Sequence, residues 1–283
     1  MIVSDWHAWR IGRMILRDSG AAPHSVRSAG RSAKQEFEPM LRSTRLIRAA
    51  LAGLLAIIAG CENPKRNAAA ASAPHEASVA PGINKAYEHP DVERFKERFE
   101  SESREVYDQR ERIVADLGLS PGDSVADIGA GTGFYSILFG QAVGPGGKVY
   151  AVDIAPEFIE HIRKRAAAAG LKNITPVVCK EDSVELPPDS VDVAFICDTY
   201  HHFEYPRSTL ASLRRALRAG GEVVVIDFIR KPGVSREWVL NHVRAGKRTV
   251  IREFDEAGFD LVADGAPSAE LAENYFLRFR KGD

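Results

Sequence analysis

The chain has 283 residues, 45% of them apolar, and a formal net charge of −1. It is long enough to bury a sizeable core in one large domain or two small ones, and its balanced charge gives no electrostatic footprint for nucleic acid. Its eight histidines point to no metal framework, and its three cysteines, Cys61, Cys179 and Cys197, lack C-x-x-C spacing and cannot all pair within one chain.

Residues 1–39 show no sustained apolar period. They read as a disordered arm or, because Met40 opens a different kind of segment, as an extension ahead of the natural start. Arg42, Arg45 and Arg48 precede an apolar run of twelve residues, 49–60, that ends at Cys61. Such a run is too short to span a bilayer comfortably but suits the apolar region of a signal peptide. Ile58, Ala59, Gly60 and Cys61 resemble the lipobox of bacterial lipoproteins. That resemblance implies a signal peptide over 40–61, a lipid anchor to the membrane at Cys61, and a domain on the non-cytoplasmic, periplasmic side. An ordinary buried helix at 49–60 would instead leave the protein cytoplasmic. Residues 62–90 are rich in Ala, Pro, Ser and Asn; they bury too little to offset their ordering entropy and read as a flexible tether.

From 91 to 118, Val92, Phe95, Phe99, Val106, Ile113, Val114 and Leu117 recur near helical spacing among charges, predicting one or two amphipathic helices broken near Ser101–Ser103. After a turn at Ser120–Asp123, Val125 to Ile128 form a short buried strand that runs into Gly129, Gly131 and Gly133. Glycines there allow unusual dihedrals and let a ligand approach the main chain, and the free N–H groups of the following helix start add positive potential. That helix is predicted from Phe134 to Val143, with Gly144–Gly147 as its stop. Lys148–Asp153 is a second strand, and Asp153 lies 20 residues after Gly133, near the spacing at which a strand-end carboxylate meets ribose hydroxyls. Pro156 starts a helix through Ala169. Asn173–Cys179, Val191–Cys197 and Glu222–Phe228 are further strands, with a helix over Arg207–Arg218 ending at Gly220 and Gly221. A helical Ser235–Gly258 precedes a final strand pair, Phe259–Ala263 and Asn274–Arg280. This alternation predicts an α/β fold with a doubly wound, mostly parallel sheet. Ligands in such sheets sit beyond the carboxyl ends of the strands, where the glycine loop, Asp153, Asp182 and Asp198 all fall.

The dinucleotide fingerprint G-x-G-x-x-G would need glycine at Phe134, whereas the third glycine comes one residue early, at Gly133. An acidic residue followed by G-x-G-x-G resembles motif I of class I S-adenosylmethionine (SAM) methyltransferases, and the resemblance runs from about Leu119 to Lys281. It implies a Rossmann-like sheet of seven strands with the last antiparallel, SAM as cofactor, and a small or lipid-like methyl acceptor. It implies that Asp127, Gly129, Ala130, Gly131 and Gly133 approach the methionine part of SAM. Asp153, with Ile154 beside it, would take the ribose, and Asp182 and Ser183 the adenine. Cys197 and Asp198 would border the meeting place of sulfonium and acceptor. Residues 91–118 would be a lid over a domain spanning 119–283. Arg218–Glu222 resembles the family's Leu-Arg-Pro-Gly-Gly turn, with Ala219 replacing the usual proline. No signature of quinone, arsenite or catechol methyltransferases maps onto the chain. Asp127 reads equally as a carboxylate that fixes the loop.

Methyl transfer to oxygen or nitrogen can need a general base, and Tyr200, His201 and His202 are the cluster able to serve. Consecutive helical residues point about 100° apart, so the two imidazoles are expected to diverge and to form no joint metal site. Cys197 reads as a small buried strand-end residue rather than a nucleophile. Two other functions share this pattern: a tethered domain that binds SAM or a nucleoside without turnover, and a nucleotide-dependent oxidoreductase.

Overall fold

Seven apolar runs become seven strands of a single sheet in the computed structural model. They are β1 (Ser124–Ile128), β2 (Lys148–Asp153), β3 (Ile174–Val178), β4 (Val191–Cys197), β5 (Leu217–Phe228), β6 (Phe259–Asp264) and β7 (Asn274–Lys281). The structure describes residues 75–101 and 104–282. The expectations for 1–39, for the signal segment 40–61 with Cys61, and for 62–74 lie outside the described residues. Among those described, no helix is long and apolar enough to cross a membrane.

The strand order is β3-β2-β1-β4-β5-β7-β6. β1 to β5 pair in parallel, while β7 is antiparallel to both β5 and β6. The expected doubly wound, seven-stranded sheet with an antiparallel last strand is therefore present. Insertion of β7 between β5 and β6 also departs from the 3-2-1-4-5-6 order of dinucleotide-binding folds, which removes the topological basis of the oxidoreductase reading. All five residues of β1 are buried, as a central parallel strand covered on both faces requires. Its successive side chains serve two cores: Val125 packs with Phe139, Ile162 and Phe195, whereas Ala126 packs with Val152, Ile196 and Leu213.

The crossover helices are α4 (Phe134–Val143), α5 (Pro156–Ala168) and α6 (Pro206–Ala216), with α7 (Glu237–His242) and α8 (Lys247–Glu256) leading to the hairpin. Two boundaries differ from expectation. The helix expected over Ser235–Gly258 breaks at Val243–Gly246 into α7 and α8. Gly220 and Gly221 do not stop a helix but lie within β5, where the register against β4 jumps from Val191↔Leu217 to Val193↔Glu222. Gly220, at φ +72°, absorbs the extra residues. N-terminal to the sheet, α1 (Val92–Phe99), α2 (Glu105–Asp108) and α3 (Arg110–Asp116) occupy the predicted helical segment.

The tether reading of 62–90 is corrected for its described part. Residues 75–90 are strapped onto the domain by two carboxylates. Glu204 accepts from Ser78 Oγ at 2.7 Å and from the Gly82 N–H at 3.1 Å. Glu76 accepts from the N–H groups of Arg207 and Ser208 at 3.0 and 2.7 Å. Composition predicted a segment without a core of its own, but hydrogen-bond partners far along the chain supply what apolar burial does not.

α6 has no side-chain cap of its own, so Glu76 caps it from the strap. Burial alone would raise the Glu76 pKa, but the bonds from Ser208 and Arg207 outweigh it and hold the carboxyl below its ordinary value. Its stabilisation is therefore present above the ordinary carboxylate range and lost as pH falls through the depressed value. Glu76→Ala is expected to cost ~0.5–2 kcal/mol in urea denaturation at neutral pH. The deficit should vanish in acid; a deficit unchanged between the two would remove the cap from the account.

Candidate active site

The turn after β1 is built by close approach. The N–H groups of Gly129 and Ala130 both donate to the Val152 carbonyl, at 2.8 and 3.0 Å, which folds the loop onto the end of β2. A Cβ on Gly129 would stand 2.2 Å from Thr199 Cγ2, and φ there is +71°, so neither space nor backbone admits a side chain. Gly131 faces Phe99 of α1. Asp153, at the end of β2, accepts from the Gly131 N–H at 2.8 Å through one oxygen and from the Ala155 N–H at 2.9 Å through the other. Burial pushes its pKa up to about 6, against the lowering effect of those bonds. Asp127 accepts from Ser136 Oγ at 2.6 Å, tying β1 to the first turn of α4. Burial pushes its pKa up to about 7.

These groups line one cleft of about 430 Å³ over the carboxyl ends of the central strands, within the ~300–1,000 Å³ usual for small-molecule sites. Its roof includes Asn84, Tyr87, Phe99 and Arg104. Arg104 forms an ion pair with Asp198, and Asn274 Nδ2 donates to the other Asp198 oxygen at 2.5 Å. Asp198 stands at φ +49°, a strained conformation for a residue with a Cβ. Burial and the neighbouring Asp198 charge push the Cys197 thiol far up, so it is no nucleophile.

At the other end, Tyr200–His202 form a 3-10 turn. His201 is buried; its Nδ1 lies 2.8 Å from Asp227 Oδ1 and its N–H donates to Asp227 Oδ2 at 3.0 Å. A carboxylate only accepts, so Nδ1 carries the proton and Nε2 is left for the cleft. Burial alone would lower the His201 pKa, but the charge and hydrogen bond of Asp227 outweigh it and raise it. His202 is pushed down to about 2, by burial first and then by His201 and His242. Phe228 and Trp238, with ring centroids 5.0 Å apart, complete an aromatic wall.

Of the residues singled out by sequence, Asp127, Gly129, Ala130, Gly131, Asp153, Ile154, Ser183, Cys197, Asp198, His201 and His202 line this cleft. Three do not. Gly133 is a packing glycine, since a Cβ there would stand 2.6 Å from Ile162 Cγ1. Asp182 pairs outward with His75 Nε2 at 3.3 Å, and its neighbour Glu181 lines the cleft instead. Tyr200 is fully buried among core side chains, and its hydroxyl donates to Glu253 Oε2 at 2.7 Å. The expected divergence of the two imidazoles is corrected as well. Their ring centroids lie 4.3 Å apart, because side-chain torsions swing both rings into one cleft whatever the backbone angle. Arg104, Asp227, His242 and Asn274 escaped the sequence reading. The strand-end rule that selected Asp153 and Asp198 also selects Asp227, near the end of β5.

The packing at Gly129 yields a test. Gly129→Ala is expected to lower stability by about 1–3 kcal/mol in the absence of any ligand. Adding Thr199→Gly should recover part of that loss. Unchanged stability in Gly129→Ala would show that the glycine serves only ligand approach.

A family described as a methyltransferase domain matches residues 126–223, from β1 into β5. The ubiquinone/menaquinone biosynthesis C-methyltransferase UbiE of Cupriavidus taiwanensis is 30% identical over 116 residues, 41% of this chain and 47% of that protein. The chain thus spans about half the length of the curated relatives it matches. A SAM dependent methyltransferase from Aquifex aeolicus superposes with a TM-score of 0.59 at 24% identity, covering 68% of this chain and 99% of that one. The cyclase SpnF superposes with a TM-score of 0.52 at 15% identity, covering 62% and 82%. Residues 126–223 thus match a methyltransferase domain, and the seven-stranded sheet around them has the fold of the SAM dependent methyltransferase from Aquifex aeolicus.

Proposed function

We propose that this protein transfers a methyl group from SAM to a small or lipid-like acceptor. The observation that carries the reading is one cleft with two unlike ends: the glycine loop with Asp153 at one, and His201 backed by Asp227 among aromatic rings at the other. The relatives' part in ubiquinone and menaquinone biosynthesis supports a lipid-like acceptor.

The residues present fit the cofactor. The Gly129–Gly131 turn leaves main chain bare where the methionine part would lie. Asp153 presents two carboxylate oxygens, about four lone-pair sites, of which the Gly131 and Ala155 N–H groups take two, so acceptor capacity is left for a ribose diol. Glu181 and Ser183 stand on the adenine side in place of Asp182. When bound, SAM supplies an electrophilic methyl on a sulfonium whose leaving group departs neutral. The chain's own work is to align the partners and exclude water, which the roof of Tyr87, Phe99 and Arg104 does. His201 Nε2 would take the acceptor's proton, while Asp227 holds Nδ1–H and stabilises the imidazolium.

Calorimetry with SAM, S-adenosylhomocysteine and NAD tests the cofactor: the first two should bind, and tighter binding of NAD would overturn the reading. Turnover with radiolabelled methyl separates an enzyme from a binding domain without catalysis. Asp227→Asn is expected to lower the rate ~10²–10⁴-fold while leaving SAM affinity near normal. Asp153 accepts from ribose only when ionised, so protonation competes with the cofactor. With its pKa at about 6, SAM affinity should fall about tenfold one pH unit below that value, and Asp153→Asn should remove that component, leaving only what Asp127 contributes nearer pH 7.

The lipobox resemblance at Cys61 and the basic flank before it support a lipid-anchored protein with its domain on the non-cytoplasmic side. Mass spectrometry of natively expressed protein should find a mature N-terminus at Cys61 carrying acyl mass. Unlipidated Met1 or Met40 species alone would return the protein to the cytoplasm.

A further inference from the structure

We infer that His201, His202 and His242 form a binding site for a divalent transition-metal ion of the zinc class at the acceptor end of the cleft. Each offers a ring nitrogen, and the three nitrogens lie within 4.8 Å of one another. His202 Nε2 and His242 Nε2 are 3.3 Å apart. Two imidazole nitrogens on one tetrahedral zinc, each ~2.0–2.1 Å from it, stand about 3.3 Å apart. The spacing already present between His202 and His242 is that of two ligands on one ion, with the His201 ring nitrogen within 4.8 Å of both.

The surroundings are those of a metal site. His201 presents Nε2 because Asp227 takes Nδ1–H at 2.8 Å, so carboxylate, imidazole and ion would stand in line, with the carboxylate fixing the ring. His201 and His202 come from the turn after β4, and His242 closes α7, so two separate elements grip the site. Asp227 and Asp198 are the anions acting on the cluster, against Arg98 and Arg244 as cations, so formal charge around it balances. Three protein ligands leave a fourth position open. All three imidazoles line the cleft beside Phe228 and Trp238, so that position faces the place of the acceptor. Three ligands and one open position mark a catalytic rather than a structural zinc site. An acceptor hydroxyl or thiol could bind there as its anion, its proton passing to solvent. In the metal-bound state the His201 lone pair belongs to the ion, and the ion replaces His201 as the acceptor's activator.

The inference goes beyond methyl transfer and is tested without cofactor or acceptor. The full chain, freed of any histidine tag and stripped with chelator, is titrated with Co²⁺ and followed by visible absorption. Binding of one ion with the intense bands of four-coordinate cobalt, displaced by Zn²⁺, is the expected result. His242→Gln changes an exposed residue at the end of a helix and should weaken binding at least tenfold. Asp227→Asn should weaken it ~10–100-fold, and His161→Gln, remote from the cluster, should leave it unchanged. Absence of stoichiometric binding would overturn the proposal and leave the 3.3 Å contact as a hydrogen bond between two imidazoles. Binding insensitive to His242→Gln would overturn it equally.

Discussion

The ion pair between half-buried Arg104 and the buried Asp198 carboxylate fixes the relation between roof and sheet. An ionised carboxylate at the end of a central strand is costly unless it is paired and hydrogen-bonded. Asp198 has its partner because Arg104, just before α2, lines the cleft beside it. Arg104 also donates to the Phe99 carbonyl at 3.1 Å and lies over the Phe99 ring, 5.2 Å from its centroid, so it sets the ring that covers Gly131. The next residue works at the same junction. Glu105 accepts from the N–H groups of Ala272, Glu273 and Asn274, at the start of β7, while Asn274 reaches back to Asp198. Two consecutive residues of the roof thus hold the ends of β4 and β7 together, and removing Arg104 would strand the buried Asp198 charge.

That junction divides the cleft. On one side stand backbone N–H groups and the buried carboxylates Asp127 and Asp153, suited to a polar ligand held by hydrogen bonds. On the other stand imidazoles and aromatic rings, suited to a flat or apolar one. Asp198 lies between them in a strained conformation that its bonds to Arg104 and Asn274 over-determine. Burial weakens the charged form of Asp127, Asp153 and Asp198, which marks this part of the cleft as poorly screened by bulk water. The proposed displacement at a sulfonium would be favoured by that condition, because its transition state disperses charge rather than creating it.

Legibility in the sequence followed the range of the interactions. Strand and helix alternation, the glycine turn and Asp153 are local or set by a fixed spacing, and each was readable from neighbours along the chain. The roles of Asp182 and Tyr200 were misread because strand-end position does not tell which way a side chain turns. One is drawn outward by His75, more than a hundred residues earlier, and the other inward by Glu253. The second half of the presumed tether looked unstructured because its partners, Glu204 and the first turn of α6, lie over 120 residues away. His242 carries no local signal at all, since a lone histidine at the end of a short helix acquires meaning only when α7 sets it against His202.

The same contrast separates what the fold holds rigid from what it can release. Asp153, His201 and Asp227 stand on or beside strands whose apolar side chains belong to two continuous buried cores. The roof is attached differently. α1 has no fully buried side chain and touches α5 through an edge contact between Phe95 and Phe158. At its end, Glu100 binds Arg165 and Thr132; the strap before it hangs on Glu76 and Glu204. Hydrogen bonds of this kind contribute only ~0.5–1.5 kcal/mol each, or ~1.5–3 where a charge takes part. Burial of apolar side chains in the sheet is far larger in sum. Local opening therefore favours the roof while the reacting groups stay in place. A roofed cleft must still admit and release its ligands, and here the part that can move holds neither Asp153 nor the His201–Asp227 pair.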